Sequence, residues 1–197
     1  MRVIRLLFVI ISFFAVYIHP EEADSLLDNN TAFYEGKALN YVIQPPDDFR
    51  MLIDEAADDG YSFAFIPEKE TYDSASMIIG INIFRIKDKA QKKFSLDKLI
   101  EIDTTAFRQH YGKEIIISEV TPLKAFTGQL LRTFYLNDTT VFMPNVMLSY
   151  FDGGSEILIF DLSVSDAFPR FLAEKIYIKC VLKFKVLVKG KLGMNNE

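Results

Sequence analysis

"YSFAFIPEKETYDSASMIIGINIF", residues 61–84, is apolar at both ends and polar in the middle. Each end alternates large apolar residues with smaller or polar ones, a period of two that predicts a β-strand. The large residues of the two runs are Tyr61, Phe63, Phe65, Met77, Ile79, Ile81 and Ile83. The segment between them, Pro67 to Ala75, has the composition of an exposed loop. The stretch therefore predicts two strands joined by a surface connection rather than a chemical site.

Beyond this pair, the chain predicts a helix and then four strands. Ser95 suits the N-cap position, apolar residues follow at helical spacing to Tyr111, and Gly112 suits the C-terminal stop. Asp103 stands within that mostly apolar spacing. Strands are predicted at about residues 114–120, 129–136, 146–151 and 156–164, the last two joined by a tight turn at residues 152–154.

A second helix is predicted after Asp166, which suits the N-cap position, with Pro169 inside the first turn. Its inner face is predicted from apolar residues at intervals of four: Phe168, Leu172, Ile176, Cys180 and Phe184. Its outer face carries a stripe of lysines, namely Lys175, Lys179 and Lys183. Such a stripe could bind an acidic partner or an anionic lipid, although a solvated helix face is the commoner explanation.

Upstream of the quoted stretch, "DFRMLIDEAADDG", residues 48–60, fits either a helical face or a strand followed by a hairpin turn. We favour a strand over about residues 49–54. The elements together predict an α+β fold, an α/β/α sandwich in which helices cover both faces of a central, mainly antiparallel sheet.

The order of these segments resembles the PsbP-like superfamily. The resemblance rests on "YSFAFIPE", "SMIIGINIF", "SLDKLIEIDTTAFRQHYG", "EIIIS", "GQLLRTFYL", "EILIFDLSV" and "FPRFLAEKIYIKCVLKFKV", and it covers roughly residues 40–188. That superfamily includes a photosystem II extrinsic subunit, a Ran-release factor and exported bacterial proteins of unknown function. The resemblance implies the fold, and it assigns no site residue to any position of this chain.

The N-terminus predicts export. Arg2 and Arg5 precede an apolar run from Leu6 to Ile18, which is typical of a signal peptide and short for a spanning helix. Residues 1–18 are therefore predicted to be a signal peptide, 19–38 a flexible lead-in, 39–190 a single domain and 191–197 a tail. Cleavage is expected between about residues 16 and 24, with a retained N-terminal anchor as the alternative. The predicted location is periplasmic or secreted, without stable membrane insertion after cleavage.

Charge and residue types exclude several classes of function. Removal of residues 1–18 lowers the basic side chains from 22 to 20 against 27 acidic ones, so the formal charge falls from −5 to −7. Such an acidic protein is not expected to bind nucleic acid. Its single cysteine, Cys180, allows no internal disulfide and is predicted to be buried and inert. His110, near a predicted helix end, suits a role beside the helix dipole better than catalysis.

The acidic residues do not show the spacing of a calcium loop. Asp47, Asp48, Asp54, Glu55, Asp58 and Asp59 are close in sequence, but they lack the D-x-D-x-D-G pattern. We therefore predict neither a metal nor a cofactor.

The sequence favours an exported, non-catalytic accessory or binding protein of the bacterial cell envelope that docks a protein partner or a small ligand. A secreted effector acting on a host partner is the alternative, and an enzyme with an unrecognised site is the third possibility. The candidate binding residues are Tyr72 in the loop and Lys175, Lys179 and Lys183 on the last helix.

Overall fold

The computed structural model describes residues 31–37, 39–86, 95–112, 115–137 and 145–188. The predicted signal peptide and C-terminal tail lie outside these residues. The main sheet is formed by β3 (Phe49–Leu52), β4 (Phe63–Pro67), β5 (Met77–Arg85), β6 (Ile116–Lys124), β7 (Leu130–Asn137), β8 (Asn145–Asp152) and β9 (Glu156–Val164). A smaller sheet is formed by β1 (Ala32–Glu35), β2 (Leu39–Ile43) and β10 (Lys185–Val188).

Within the described residues, the strand order is β3-β4-β5-β9-β8-β7-β6 in the main sheet and β1-β2-β10 in the smaller one. All pairs are antiparallel. The helices are α1 (Asp54–Asp58), α2 (Leu96–Tyr111) and α3 (Arg170–Lys183), with a 3-10 turn at Tyr72–Ser74. The predicted α+β class, with a mainly antiparallel central sheet, is confirmed.

The helices cover opposite faces of the main sheet. Along β9, Leu158, Phe160 and Leu162 face a core that includes Tyr177 and Cys180 of α3. Ile157 and Ile159 face the other side, where they pack with Leu99, Ile100 and Phe107 of α2. The period of two in the strand thus gives each face its own apolar layer, as the alternating sequence predicts.

Helix α2 begins and ends where the sequence predicts. The Ser95 side chain accepts a hydrogen bond from the backbone N–H of Lys98, and Gly112 ends the helix at a φ of 102°. A positive φ of this kind strains any residue with a side chain, which explains the glycine.

Two predictions about the start of α3 are wrong. Its N-cap residue is Pro169, which makes no side-chain capping hydrogen bond, and Asp166 lies in the preceding turn. The cause is local, because a residue that precedes proline is pushed out of the helical region. Phe168 therefore could not continue a helix begun at Asp166.

The predicted inner face of α3 is only partly right. Cys180 is fully buried on the helix and Phe184 is fully buried at its C-cap, but Leu172 is 41% exposed. Residues spaced by four advance about 40° around a helix at each step, so a row of five cannot stay on one face. The other buried positions of the helix are Ala173, Tyr177 and Val181.

Strand β1 corrects the predicted extent of the flexible lead-in. Residues 32–35 pair with β2, and the smaller sheet adds Ala32, Tyr41 and Ile43 to the core beneath α3. The ambiguous segment near residue 50 contains both predicted structures in succession, since β3 ends at Leu52 and α1 begins at Asp54. Strand β10 was not predicted, because its sequence looked like the continuation of the helix.

Candidate functional site

The predicted binding residues lie on opposite faces of the main sheet. Tyr72 is half-buried and packs against a cluster that includes Tyr61, Ala64 and Ile78, on the same face as α1. Helix α3, with its lysines, packs on the other face. The structure therefore does not bring Tyr72 and the lysines together into one site.

The loop that carries Tyr72 is more ordered by hydrogen bonds than its composition predicts. The Glu70 carboxylate accepts hydrogen bonds from the backbone N–H of Ser76 at 2.5 Å and from its hydroxyl at 2.8 Å. The Glu70 carbonyl accepts a hydrogen bond from Arg50 at 3.0 Å. Glu70 thus closes the loop onto the start of β5, and its role is structural.

The three lysines of α3 differ in their surroundings. Lys183 forms an ion pair of 3.4 Å with Asp47, a residue from the acidic segment before β3. Lys175 Nζ lies 5.7 Å from the centroid of the Phe171 ring, a cation–π arrangement. Lys175 and Lys179 are exposed, and neither forms an ion pair within the described part of the chain. Two of the predicted lysines are therefore available to an external partner.

The outer face of α3 also carries apolar side chains that the sequence did not place there. Phe171 is 65% exposed, and Leu172 and Leu182 are exposed as well. A solvated helix face normally carries polar residues at these positions. We define the outer α3 surface as Phe171, Leu172, Lys175, Lys179 and Leu182.

A buried cluster of acids and tyrosines lies between the sheet and α2. Asp103 of α2 is only 5% exposed, and its Oδ2 accepts a hydrogen bond of 2.8 Å from the hydroxyl of Tyr150 in β8. Asp161 of β9 is also buried, and it accepts a hydrogen bond of 2.9 Å from the hydroxyl of Tyr61. The other carboxylate oxygen of Asp103, Oδ1, has no hydrogen-bond partner among the described residues.

Burial dominates the electrostatics of this cluster. It raises the pKa of Asp103 to about 6, the hydrogen bond from Tyr150 opposes that rise, and the nearby charge of Asp161 adds to it. Burial, followed by the charge and hydrogen bond of the adjacent carboxylate, raises the pKa of Tyr61 and of Tyr150 well above the usual range for tyrosine. Both phenols therefore remain hydrogen-bond donors at any physiological pH.

The sequence did carry a signal for this cluster. Asp103 stands at an apolar position of a helical repeat, and Asp161 interrupts the apolar run "EILIFDLSV". When a pattern assigns an acid to the core, either the position is not buried or the buried carboxyl group has a hydrogen-bonding or charged partner. The pattern could not show that Asp103, on α2, packs against the same face of the main sheet that carries Asp161.

Among the described residues, the remaining reactive side chains do not form a further site. Cys180 is fully buried, its thiol donates to the carbonyl of Gln44 at 3.4 Å, and burial raises its pKa to about 12. His110 is exposed at the last turn of α2, with its ring against Tyr111. The described residues contain no group of three or more His, Cys, Asp or Glu side chains arranged to bind a metal ion.

None of the helices within the described ranges combines the length and the apolar character needed to cross a bilayer. The apolar N-terminal run of the sequence lies outside those ranges.

The sequence matches no protein-family model and no curated protein sequence. Among solved structures, the chain is similar to cyanobacterial PsbP (CyanoP) from Synechocystis sp. PCC 6803, with a TM-score of 0.48 and 13% sequence identity. The superposition covers 84% of this chain and 97% of that one. At this sequence identity and TM-score, the similarity assigns no function to this chain.

Proposed function

We propose that this protein is an exported, non-catalytic accessory protein of the bacterial cell envelope that docks an acidic protein partner through the outer α3 surface. The observation that carries the proposal is the exposure of Phe171 and Leu182 beside two lysines that have no ion pair within the described residues. An exposed apolar patch that is rimmed by polar or charged residues is typical of a protein interaction site.

The chemistry of the partner follows from the charges. The exported chain carries an excess of acidic side chains, so a local pair of free lysines favours a partner with acidic groups at that position. The adjacent phenylalanine and leucines require an apolar pocket or groove between those acids. Such a partner would cover both the apolar and the basic part of the surface at once.

The non-catalytic part of the proposal is supported by where the reactive groups lie. Asp103, Asp161 and Cys180 are buried, and each takes part in a hydrogen bond with another residue of the protein. A catalytic acid or thiol must reach a substrate, and a nucleophilic cysteine needs a lowered pKa rather than a raised one.

Site-specific cross-linking in the native host tests the docking surface. A photoreactive amino acid at position 171 should yield a defined cross-linked protein, and the same amino acid at position 102, on the exposed side of α2, should not. Ile102 is 41% exposed and Phe171 is 65% exposed, so the comparison sets an exposed apolar position on α2 against one on α3. Equal cross-linking at both positions would show only non-specific contact and would refute the proposal.

The acidic character of the partner is tested by a charge comparison. Lys175→Gln with Lys179→Gln should weaken the cross-link at position 171 and remove most of its dependence on salt. Lys98→Gln is the control, because Lys98 is exposed on α2 and pairs only locally with Glu101. Fractionation of the same cells then tests location, since an envelope protein stays with the cell and a secreted one enters the medium.

A further inference from the structure

Strand β6 is a long, exposed edge of the main sheet. It has nine residues, and within the described part of the chain it pairs only with β7. The opposite edge strand, β3, has only four residues. A short edge is one way in which proteins prevent strands from adding to a sheet, and β6 lacks that protection.

The part of β6 that can accept another strand is its first half. The register with β7 shifts between Val120 and Leu123, and Pro122 within this irregularity has no N–H to donate. Residues 116–120 are regularly paired with β7 and are exposed, apart from the half-buried Ile117. Residues 116–120 therefore form a regular strand edge, in which alternate residues direct their backbone N–H and C=O groups away from β7.

Two side chains of this segment, Ile116 and Val120, are apolar and exposed where a solvated edge would be polar. Ser118 is the register partner of Tyr135, whose hydroxyl donates to Glu174 of α3, so Ser118 faces the α3 side of the sheet. By the alternation of a strand, Ile116 and Val120 face the same side. Ile116 is 51% exposed, and Val120 is exposed as well.

The pattern of this segment is complementary to itself. In an antiparallel pair centred on Ser118, Ile116 of one copy faces Val120 of the other, and Ile117 faces Glu119. Apolar residues thus cover each other on the α3 side, and no like charges stand opposite each other. The guanidinium group of Arg132 donates hydrogen bonds of 2.7 Å and 3.0 Å to the two carboxylate oxygens of Glu119. Two copies can therefore approach without an unpaired carboxylate of Glu119 at the contact.

We propose that β6 is a homodimer interface, in which residues 116–120 of two copies pair antiparallel about Ser118 and join the two main sheets into one. The occupant of the edge is a second copy of this chain because the strand supplies both halves of the apolar pairs and the two-fold arrangement closes on itself.

The oligomeric state of the full chain, produced in an exporting host and recovered as that host processes it, tests the proposal. Sedimentation equilibrium should give twice the mass of one chain. Ile116→Lys with Val120→Lys should give the mass of a single chain, because the pairing then brings like charges together. Ile116→Lys with Val120→Glu should restore the dimer, since each new lysine then faces the new glutamate of the other copy.

Two further variants keep the test decisive. Ile102→Lys, at an exposed position on α2, should leave the dimer unchanged. Ser118→Cys should cross-link two copies in air, because directly opposed Cα atoms of antiparallel strands lie about 4.5 to 5.5 Å apart, within disulfide range. The native Cys180 is buried and does not compete. A monomeric wild type, a dimer that survives both lysines, or a dimer without the Ser118→Cys cross-link would overturn the proposal.

Discussion

The hydroxyl of Tyr61 donates a 2.9 Å hydrogen bond to Asp161, a residue 100 positions later in the chain. The Tyr61 ring lies over Gly80, which is the register partner of Asp161 on the neighbouring strand. A side chain at position 80 would occupy the space of that ring. The glycine therefore makes room for the tyrosine that satisfies a buried acid, and the three residues act as one unit.

Gly80→Ala should destabilise the protein by roughly 2 kcal/mol, because the added methyl group overlaps the buried ring and neither can move freely. Urea unfolding followed by circular dichroism measures this change. Lys69→Ala is the control, since Lys69 is exposed in the loop between β4 and β5 and should tolerate the change within about 0.5 kcal/mol. A Gly80→Ala variant as stable as the wild type would show that Tyr61 does not occupy this position.

Asp103 should make stability depend on pH in the direction opposite to that of a salt-bridged acid. Burial raises the pKa of Asp103 from its ordinary value of 3.8 to about 6 in the folded protein, so the folded state binds more protons between these two pH values. Stability from this group is greatest below pH 3.8, falls as the pH rises through 6, and stays low above it. A shift of this size corresponds to on the order of 2 to 3 kcal/mol.

Asp103→Asn should remove that pH dependence while keeping an oxygen to accept the Tyr150 hydroxyl. Relative to the wild type, the variant should gain on the order of 2 kcal/mol between pH 4 and pH 7.5. The measurement is urea unfolding at both pH values, with Glu101→Gln as the control on the exposed side of α2. Wild-type and variant stabilities that run parallel with pH would contradict the raised pKa.

The loop between β4 and β5 should respond unequally to substitution. Glu70→Ser should cost about 1 to 2 kcal/mol, because the backbone N–H and the hydroxyl of Ser76 lose their acceptors. Glu68→Ser and Lys69→Ser should each stay within about 0.5 kcal/mol, since both residues are exposed. Thermal unfolding of the three variants measures these differences in stability. If all three substitutions changed the stability equally, Glu70 would have no special structural role and the loop would be a simple connection.

Cys180 should react with a thiol reagent slowly in the native protein and rapidly in urea. It is fully buried on α3, and burial raises its pKa to about 12, so little thiolate forms. Cys180→Ala should cost on the order of 1 kcal/mol, because a single sulfur atom leaves the core. Equal labelling rates in the folded and unfolded states would place the residue at the surface.

The sequence by itself determined the elements whose signals are local. The period of two from Phe63 to Ile83, the Ser95 cap and the Gly112 stop each depend on a few neighbouring residues, so they can be recognised without the rest of the chain. The burial of Cys180 also followed from its position among apolar residues on one helix. The start of α3 was missed where one local rule, the restriction before Pro169, prevailed over another, the capping preference of Asp166.

Only the tertiary structure decided which side chains meet. Asp161 reaches Tyr61 and Gly80 because β9 lies beside β5, and Asp103 reaches Tyr150 because α2 crosses the same face of the sheet. Strand order and helix placement depend on how the apolar faces of distant elements fit, which no local pattern specifies. For the same reason, the apolar part of the outer α3 surface and the open edge of β6 were not visible in the sequence. Exposure is set by which neighbouring elements cover a residue, and a residue's own type does not reveal that.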